Sequence, residues 1–353
     1  MRRARLQVVV LTLALAVGGG CVEAPERQAG RGGTRGDGPV RIGFSMDTLK
    51  EERWQRDKQL VEQRAKELGA VLDVQVANGD DAVQTRQAEN MLTKGVDVLI
   101  VAPHNGEIAA SIVEAAHRRG VPVIAYDRLI RNSDVDLYIS HQVERMGEMQ
   151  AQYALDRVPK GNYILIGGSP TDYNALLIRR GQMNVLQPAI ERGAIKVISD
   201  QFAREWKAEE ALRITEDALT RTGNRIDAIV ASNDGTAGGA ISALQAAGLA
   251  GKVLVTGQDA QKDAVQRIVA GTQTMTIYKQ IQPLAFGAVD AAIALAEGRK
   301  VVTSETIDNG KIAVPAILLE PVAVDRDNLD ETIIKDGYHS AEEIYGARTG
   351  ARS

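Results

Sequence analysis

The sequence predicts an α/β fold of two doubly wound parallel-sheet lobes joined by a multi-crossing hinge. Three observations carry that expectation. From Val40 onward, short apolar runs alternate with amphipathic stretches of helical length, the pattern of parallel strands covered on both faces by helices. A weak internal repeat sets "LTKGVDVLIVAPHN" (92–105) beside "LTRTGNRIDAIVASND" (219–234). Each copy is followed by an Ala-rich helix, a turn with Gly and a strand ending on an acid, Asp127 or Asp259. Finally, 353 residues at 44% hydrophobic content are enough for two separate cores.

In chain order, residues 1–21 come first and read as a lipoprotein-type export signal. Arg2, Arg3 and Arg5 precede an apolar run from Leu6 to Val17, which is too short for a membrane span of about 20 residues. Gly18, Gly19 and Gly20 supply the small-residue cleavage zone. Cys21, the only cysteine, follows directly and resembles the lipid-modified Cys of bacterial lipoproteins, although Gly18 stands where that motif usually has Leu. With no second Cys, the body folds without an internal disulfide. Residues 22–38, rich in Gly, Arg and polar side chains, read as a flexible tether, so folded sequence starts near Pro39. Strands are then expected in "VRIGFSM", "LDVQVA", "DVLIVA", "VPVIAY", "NYILIGG", "IKVIS", "DAIVAS", "KVLVTG" and "TMTIYK". Helices such as those in "TRQAENMLTKG" and "EIAASIVEAAHRRG" lie between them.

Ligands of open α/β sheets bind beyond the carboxyl ends of the strands. Those ends present Asp47, Asn105, Asp127 with Arg128, Asn174, Asn233 with Asp234, Asp259 and Lys279. Asp234, directly before "GTAGGAISAL", reads as a helix N-cap. The set mixes carboxylates, amides and cations, whereas an anion site would need an excess of donors. Sugar hydroxyls both donate and accept, so this balance suits them. The only two Trp, Trp54 and Trp206, each sit among charges just beyond a strand end, where an indole can cover the apolar face of a pyranose.

Other function classes lack their signatures. The four His, at 104, 117, 141 and 339, show no metal-ligand spacing. "IGGSPTD" lacks the second Gly of a G-x-S-x-G elbow, and neither phosphate-binding loop motif occurs. A net charge of −4 without a basic stripe argues against nucleic acid. A sugar-responsive repressor would need a DNA-reading helix-turn-helix where this chain has its export signal and tether.

In order along the chain, "ERWQRD", "ENMLTKGVDVLIVAPHNG", "AYDRLI", "GGSPTDYNA", "VASNDGTAGGAI", "GQDA" and "GTQTMTIYK" resemble the periplasmic D-xylose-binding proteins of ABC importers. The resemblance runs from about residue 40 to 340 and implies the type I periplasmic binding protein fold. By position it implies sugar contacts at Arg53, Trp54, Asp127, Arg128, Asn174, Trp206, Asn233, Asp259 and Lys279. Two neighbours depart from the family pattern, Tyr173 where Asn is expected and Phe202 where Trp is common. The implied lobes are 39–145 plus 281–309 and 146–280 plus 310–345, with crossings near 140–148, 279–283 and 307–312. The implied protein is an exported monomer, not an enzyme, with no cofactor and no metal. It would deliver D-xylose or a related monosaccharide to importer membrane subunits and touch the membrane only through a lipid on Cys21. A chemosensory sugar receptor and a binder of a different aldose are the alternatives.

Overall fold

The structure, a computed structural model, describes residues 38–303 and 305–346. The export signal, Cys21 and all of the tether but Gly38 lie outside the described residues.

The first stretch of chain is β1 (Arg41–Met46), α1 (Glu52–Glu67), β2 (Val71–Val76), α2 (Asp81–Thr93), β3 (Val98–Ala102), α3 (Ala110–His117), β4 (Val123–Tyr126) and β5 (Leu137–His141). A second stretch follows in α4 (Val143–Arg157), β6 (Gly161–Gly167), α5 (Tyr173–Glu191), β7 (Ile195–Phe202), α6 (Ala208–Thr222), β8 (Ala228–Ala231), α7 (Asp234–Ala246), β9 (Leu254–Val255), α8 (Lys262–Ala270) and β10 (Thr276–Tyr278). Last come α9 (Ile281–Ala296), β11 (Glu305–Asp308), β12 (Ala313–Leu319), β13 (Val322–Val324) and α10 (Ala341–Tyr345).

Seven strands form the first sheet in the order β11-β12-β5-β4-β3-β1-β2, parallel except for the β11–β12 pair. The second sheet is wholly parallel, in the order β7-β6-β8-β9. A separate antiparallel pair joins β10 to β13. Strand β3 shows why these runs are strands: all five residues of "VLIVA" are buried, because helices cover both faces. Val98, Ile100 and Ala102 join one core with Phe44, Tyr126 and Leu284 of α9. Leu99 and Val101 join the opposite core with Met91 and Ile112. In the second sheet Ile164 and Ile166 divide from Tyr163 and Leu165 in the same way.

The chain crosses between lobes after His141, after Lys279 and between Leu319 and Val322. The expected third crossing at 307–312 is therefore corrected. Those residues turn a hairpin within the first sheet, pairing Glu305 with Ala316 and Asp308 with Ala313, so 313–319 belong to the first lobe. The turn Asp308-Asn309-Gly310-Lys311 explains this. Gly310 takes φ +94°, Asp308 Oδ1 accepts from the Gly310 amide, and Asn309 Oδ1 accepts from the Lys311 and Ile312 amides.

Helices α4 and α5 approach closely because each carries a glycine at the contact. A Cβ on Gly147 would overlap the Ile178 carbonyl, and one on Gly181 the Glu144 carbonyl. This contact fixes the N-terminus of α5, with Asn174 in its first turn, beside the first crossing. Among the described residues, no helix is long and apolar enough to cross a membrane, and no His/Cys/Asp/Glu group could hold a metal.

Candidate functional site

All nine side chains expected from the sequence line one cavity between the lobes. Five more residues complete its wall: Glu51, Met146, Asp172, Ile178 and Gln258.

From the first lobe, the first turn of α1 delivers Arg53 and Trp54. Arg53 is buried and anchored on two carboxylates. Its Nε and Nη2 each lie 3.1 Å from an Asp57 oxygen, and its Nη1 lies 2.7 Å from Asp127 Oδ2. Asp57 also accepts from the Tyr126 hydroxyl, so it fixes the guanidinium in place. The Arg53 and Arg128 guanidinium carbons stand 4.3 and 5.2 Å from the Trp54 ring centroid. Of its charged sequence neighbours Arg53 thus lies against the Trp54 π system, joined by Arg128 from the end of β4. Only 3% of Trp54 is exposed, and it also packs into the first-lobe core.

Asp127 follows the end of β4 at φ +60°, a conformation that surrounding hydrogen bonds hold in place. Its carbonyl accepts from the Tyr138 hydroxyl at 3.0 Å, the Ser140 hydroxyl at 2.7 Å and Asn174 Nδ2 at 2.9 Å. Burial alone would raise its carboxyl, yet Arg53 and then Lys279 hold it well below the ordinary range. Arg128 donates from Nη1 to Asp47 Oδ2 at 2.6 Å, and its Nε lies 2.9 Å from Asp172 Oδ2 across the cleft. Burial also opposes the ionisation of Asp47, but a hydrogen bond from His104 and the charge of Arg128 bring it down to about 2.

From the second lobe, Asp172 caps α5 by accepting from the Asn174 amide at 2.9 Å. Its other oxygen takes Trp206 Nε1 at 3.2 Å as well as Arg128, so one carboxylate joins both lobes and the second indole. Trp206 lies on a tight turn, Arg204–Trp206, with Glu205 at φ +53° and Trp206 at φ +56°, unusual for bulky residues. Its six-membered ring lies against Gly168, where a Cβ would overlap it. Asp259 takes φ +94°, and Lys279 Nζ lies 2.9 Å from its Oδ1 and 3.6 Å from Asp127 Oδ2. Asp127 and Asp259 therefore concentrate their side-chain contacts on one oxygen each, which leaves the second of each pair for a ligand.

Asn233, not Asp234, caps α7. Its Oδ1 accepts from the Thr236 amide at 2.9 Å in a reciprocal capping box. Asp234 is the first helical residue and is held by Gln273 Nε2, the Gln261 amide and the Thr276 hydroxyl. With its oxygen committed to the cap, Asn233 is left to donate through Nδ2.

The two departures from the family pattern lie just outside this wall. The Arg131 guanidinium stands 4.0 Å from the Tyr173 ring centroid, and that of Arg179 stands 5.2 Å from Phe202. Of the residues missed from sequence, Asp172 carried a legible signal, an N-cap two residues before Asn174. Gln258 adjoins an expected contact. Met146 and Ile178 face the cavity only because α4 and α5 pack as they do, which no local pattern reveals.

Comparison with known proteins agrees with this geometry. A family model described as the periplasmic binding protein domain matches residues 42–300. The D-xylose-binding periplasmic protein of Haemophilus influenzae is 51% identical over 306 residues, which cover 87% of this chain and 92% of the relative. Its counterpart from Escherichia coli is 49% identical over 305 residues, covering 86% and 92%. A carbohydrate transporter solute-binding protein from Chloroflexus aurantiacus, solved in complex with D-glucose, superposes with a TM-score of 0.82 at 33% identity. That match covers 86% of this chain and 98% of the other. The chain belongs to the periplasmic binding protein family, with its type I fold, in the branch that holds the D-xylose-binding periplasmic proteins.

Proposed function

We propose that this protein captures D-xylose, or a closely related monosaccharide, between its lobes and presents it to the membrane subunits of an ABC importer. The observation that carries this reading is the composition of the cavity. Two indoles, three cations, three amides and four carboxylates, Asp127 and Asp259 half-engaged among them, meet in one largely buried wall drawn from both lobes. Such a wall offers acceptors and donors in balance to hydroxyls, and flat surface to the C–H faces of a sugar. The two relatives that are 51% and 49% identical are named for D-xylose, which supports that sugar over others.

Arg53, Trp54, Asp127, Arg128, Asn174, Trp206, Asn233, Asp259 and Lys279 are the proposed contacts. In this reading the protein binds its sugar without chemistry, as the names of its binding-protein relatives support. It acts as a monomer and needs no cofactor. Contacts such as Arg128 to Asp172 and the Lys262 amide to Glu52 Oε2, at 2.9 Å, join the lobes across the cleft. Closure is a hinge motion about the three crossings, and the closed form is what the importer reads.

A melting screen of the body from about residue 38 against pentoses and hexoses tests the reading. D-xylose at about a hundred times its dissociation constant should add roughly 2.7 kcal/mol. Other aldopentoses and glucose should do less. Stabilisation by ribose, galactose or an amino acid, with none by xylose, would overturn the choice of substrate.

The protein is exported and held at the membrane through a lipid on Cys21, which follows the apolar run directly and precedes a long tether. In a related host the wild type should partition into the detergent phase and Cys21→Ala should not. Equal partitioning of the two would remove the anchor.

A further inference from the structure

Three buried oxygens on the wall of the cavity have no hydrogen-bond partner among the described residues: Glu51 Oε2, Asn174 Oδ1 and Gln258 Oε1. A buried acceptor without a donor is unfavourable, and few survive in folded proteins without a reason. Three on one cavity wall, drawn from both lobes, ask for a common partner.

The orientation of each group follows from its neighbours. Gln258 Nε2 points toward Asp259 Oδ1 at 3.4 Å. Turning the amide over would set its oxygen against that carboxylate, so Oε1 must face elsewhere. Asn174 Nδ2 donates to the Asp127 carbonyl at 2.9 Å, and the flipped amide would likewise oppose two oxygens. Glu51 occupies the N-cap position of α1, where a side chain commonly accepts from the helix, yet makes no cap bond. Its Oε1 pairs with Lys50 Nζ at 2.9 Å, and its Oε2 has no partner although only 9% of the side chain is exposed.

Resting on the sugar-binding reading above, we propose that Glu51 and Gln258 are two further ligand-contacting residues. Together with Asn174 they require a ligand that donates from three separate hydroxyls. Glu51 contributes from the first lobe and Gln258 from the second, so the full set is assembled only when the lobes close. Cations and amides elsewhere in the wall can hold any oxygen-rich ligand. These three acceptors reject one whose hydroxyls are missing or methylated, because each unmet oxygen stays buried and unpaired. The ligand class is thus a neutral polyhydroxy sugar with free hydroxyls, and selectivity against deoxy and O-methyl analogues is built into the closed site.

Calorimetric titration of D-xylose and its 2-, 3- and 4-deoxy analogues into wild type, Glu51→Met and Gln258→Met tests this. Methionine keeps much of the length of either side chain but offers only a weak acceptor. Wild type should bind each deoxy analogue about tenfold or more weaker than xylose. Each variant should lose about tenfold for xylose, and lose nothing further for the one analogue that lacks the hydroxyl its acceptor met. Melting each variant without sugar confirms that it is folded. Variants that bind xylose like wild type, or that weaken equally toward xylose and every analogue, overturn the inference while leaving the sugar-binding reading intact. A wild type that binds none of these sugars overturns both.

Discussion

Replacing Asp127 by Ala should abolish measurable binding of xylose and lower stability by about 3–5 kcal/mol in the same variant. The carboxylate lies 2.7 Å from Arg53 and 3.6 Å from Lys279, and all three side chains are buried. Removing it takes one of two carboxylate partners from each cation in a water-poor cleft, leaving Asp57 for Arg53 and Asp259 for Lys279, and the half-engaged oxygen offered to the ligand goes with it. A position in a strand-end loop, outside the core, would by itself let folding survive such a loss. The geometry says otherwise, because the same atoms that await the sugar neutralise the site before it arrives. Asp127→Asn keeps an oxygen of similar shape but no charge, so it should recover part of the stability and little of the affinity. Acid should act in the same sense. A carboxyl held below its ordinary value stabilises the fold above about pH 4, and that contribution fades as pH falls through the folded-state value. For Asp47 that window is from about 4 to about 2, and for Asp127 it lies lower still. Denaturant melts with calorimetry on both variants decide the matter. Wild-type stability in Asp127→Ala would show that Asp57 and Asp259 suffice to neutralise Arg53 and Lys279.

How much of this was legible before the structure differs from part to part. The buried parallel strands were, because two-sided burial writes continuous apolar runs such as "VLIVA" and "YILI". Strand-end polar residues pointed to the cleft for the same reason, since a doubly wound sheet leaves its ligands few other places. Strands β5, β11, β12 and β13 were missed. "LYISH" is short and mixed in character, and β11 is an exposed edge strand whose residues carry little apolar signal. The Asp308–Lys311 turn was visible but read as a crossing, since a turn marks a reversal without saying between which sheets. Glu51 was hidden differently. As an acid ahead of a helix it looks like an ordinary N-cap, and only the unmade cap bond shows that its side chain is directed elsewhere.

The two tryptophans should separate when each is removed. Trp54 is 3% exposed, packs with Phe44 and Tyr126 in the first-lobe core, and has two guanidiniums against its ring. Trp54→Ala should therefore cost about 3–5 kcal/mol of stability as well as affinity, since it opens a cavity and exposes two buried cations. Trp206 is partly exposed on a strained turn, with one side of its ring against Gly168. Trp206→Ala should leave the melting point nearly unchanged and weaken sugar binding by about 1–3 kcal/mol, the usual worth of an aromatic platform. Gly168→Ala offers an independent route to the same result. Its new Cβ would occupy the space of the Trp206 ring and push the indole out of place while every cleft side chain stays intact. Emission gives a third reading, because no other Trp dilutes the signal. Trp54→Phe leaves only Trp206, whose surroundings lose water on closure, so xylose should change its intensity and wavelength strongly. Trp206→Phe leaves a ring already buried, whose response should be small. If Trp206→Ala and Gly168→Ala both bind xylose like the wild type, Trp206 holds its turn for some structural purpose. In that case the cleft clasps its sugar with Trp54 alone.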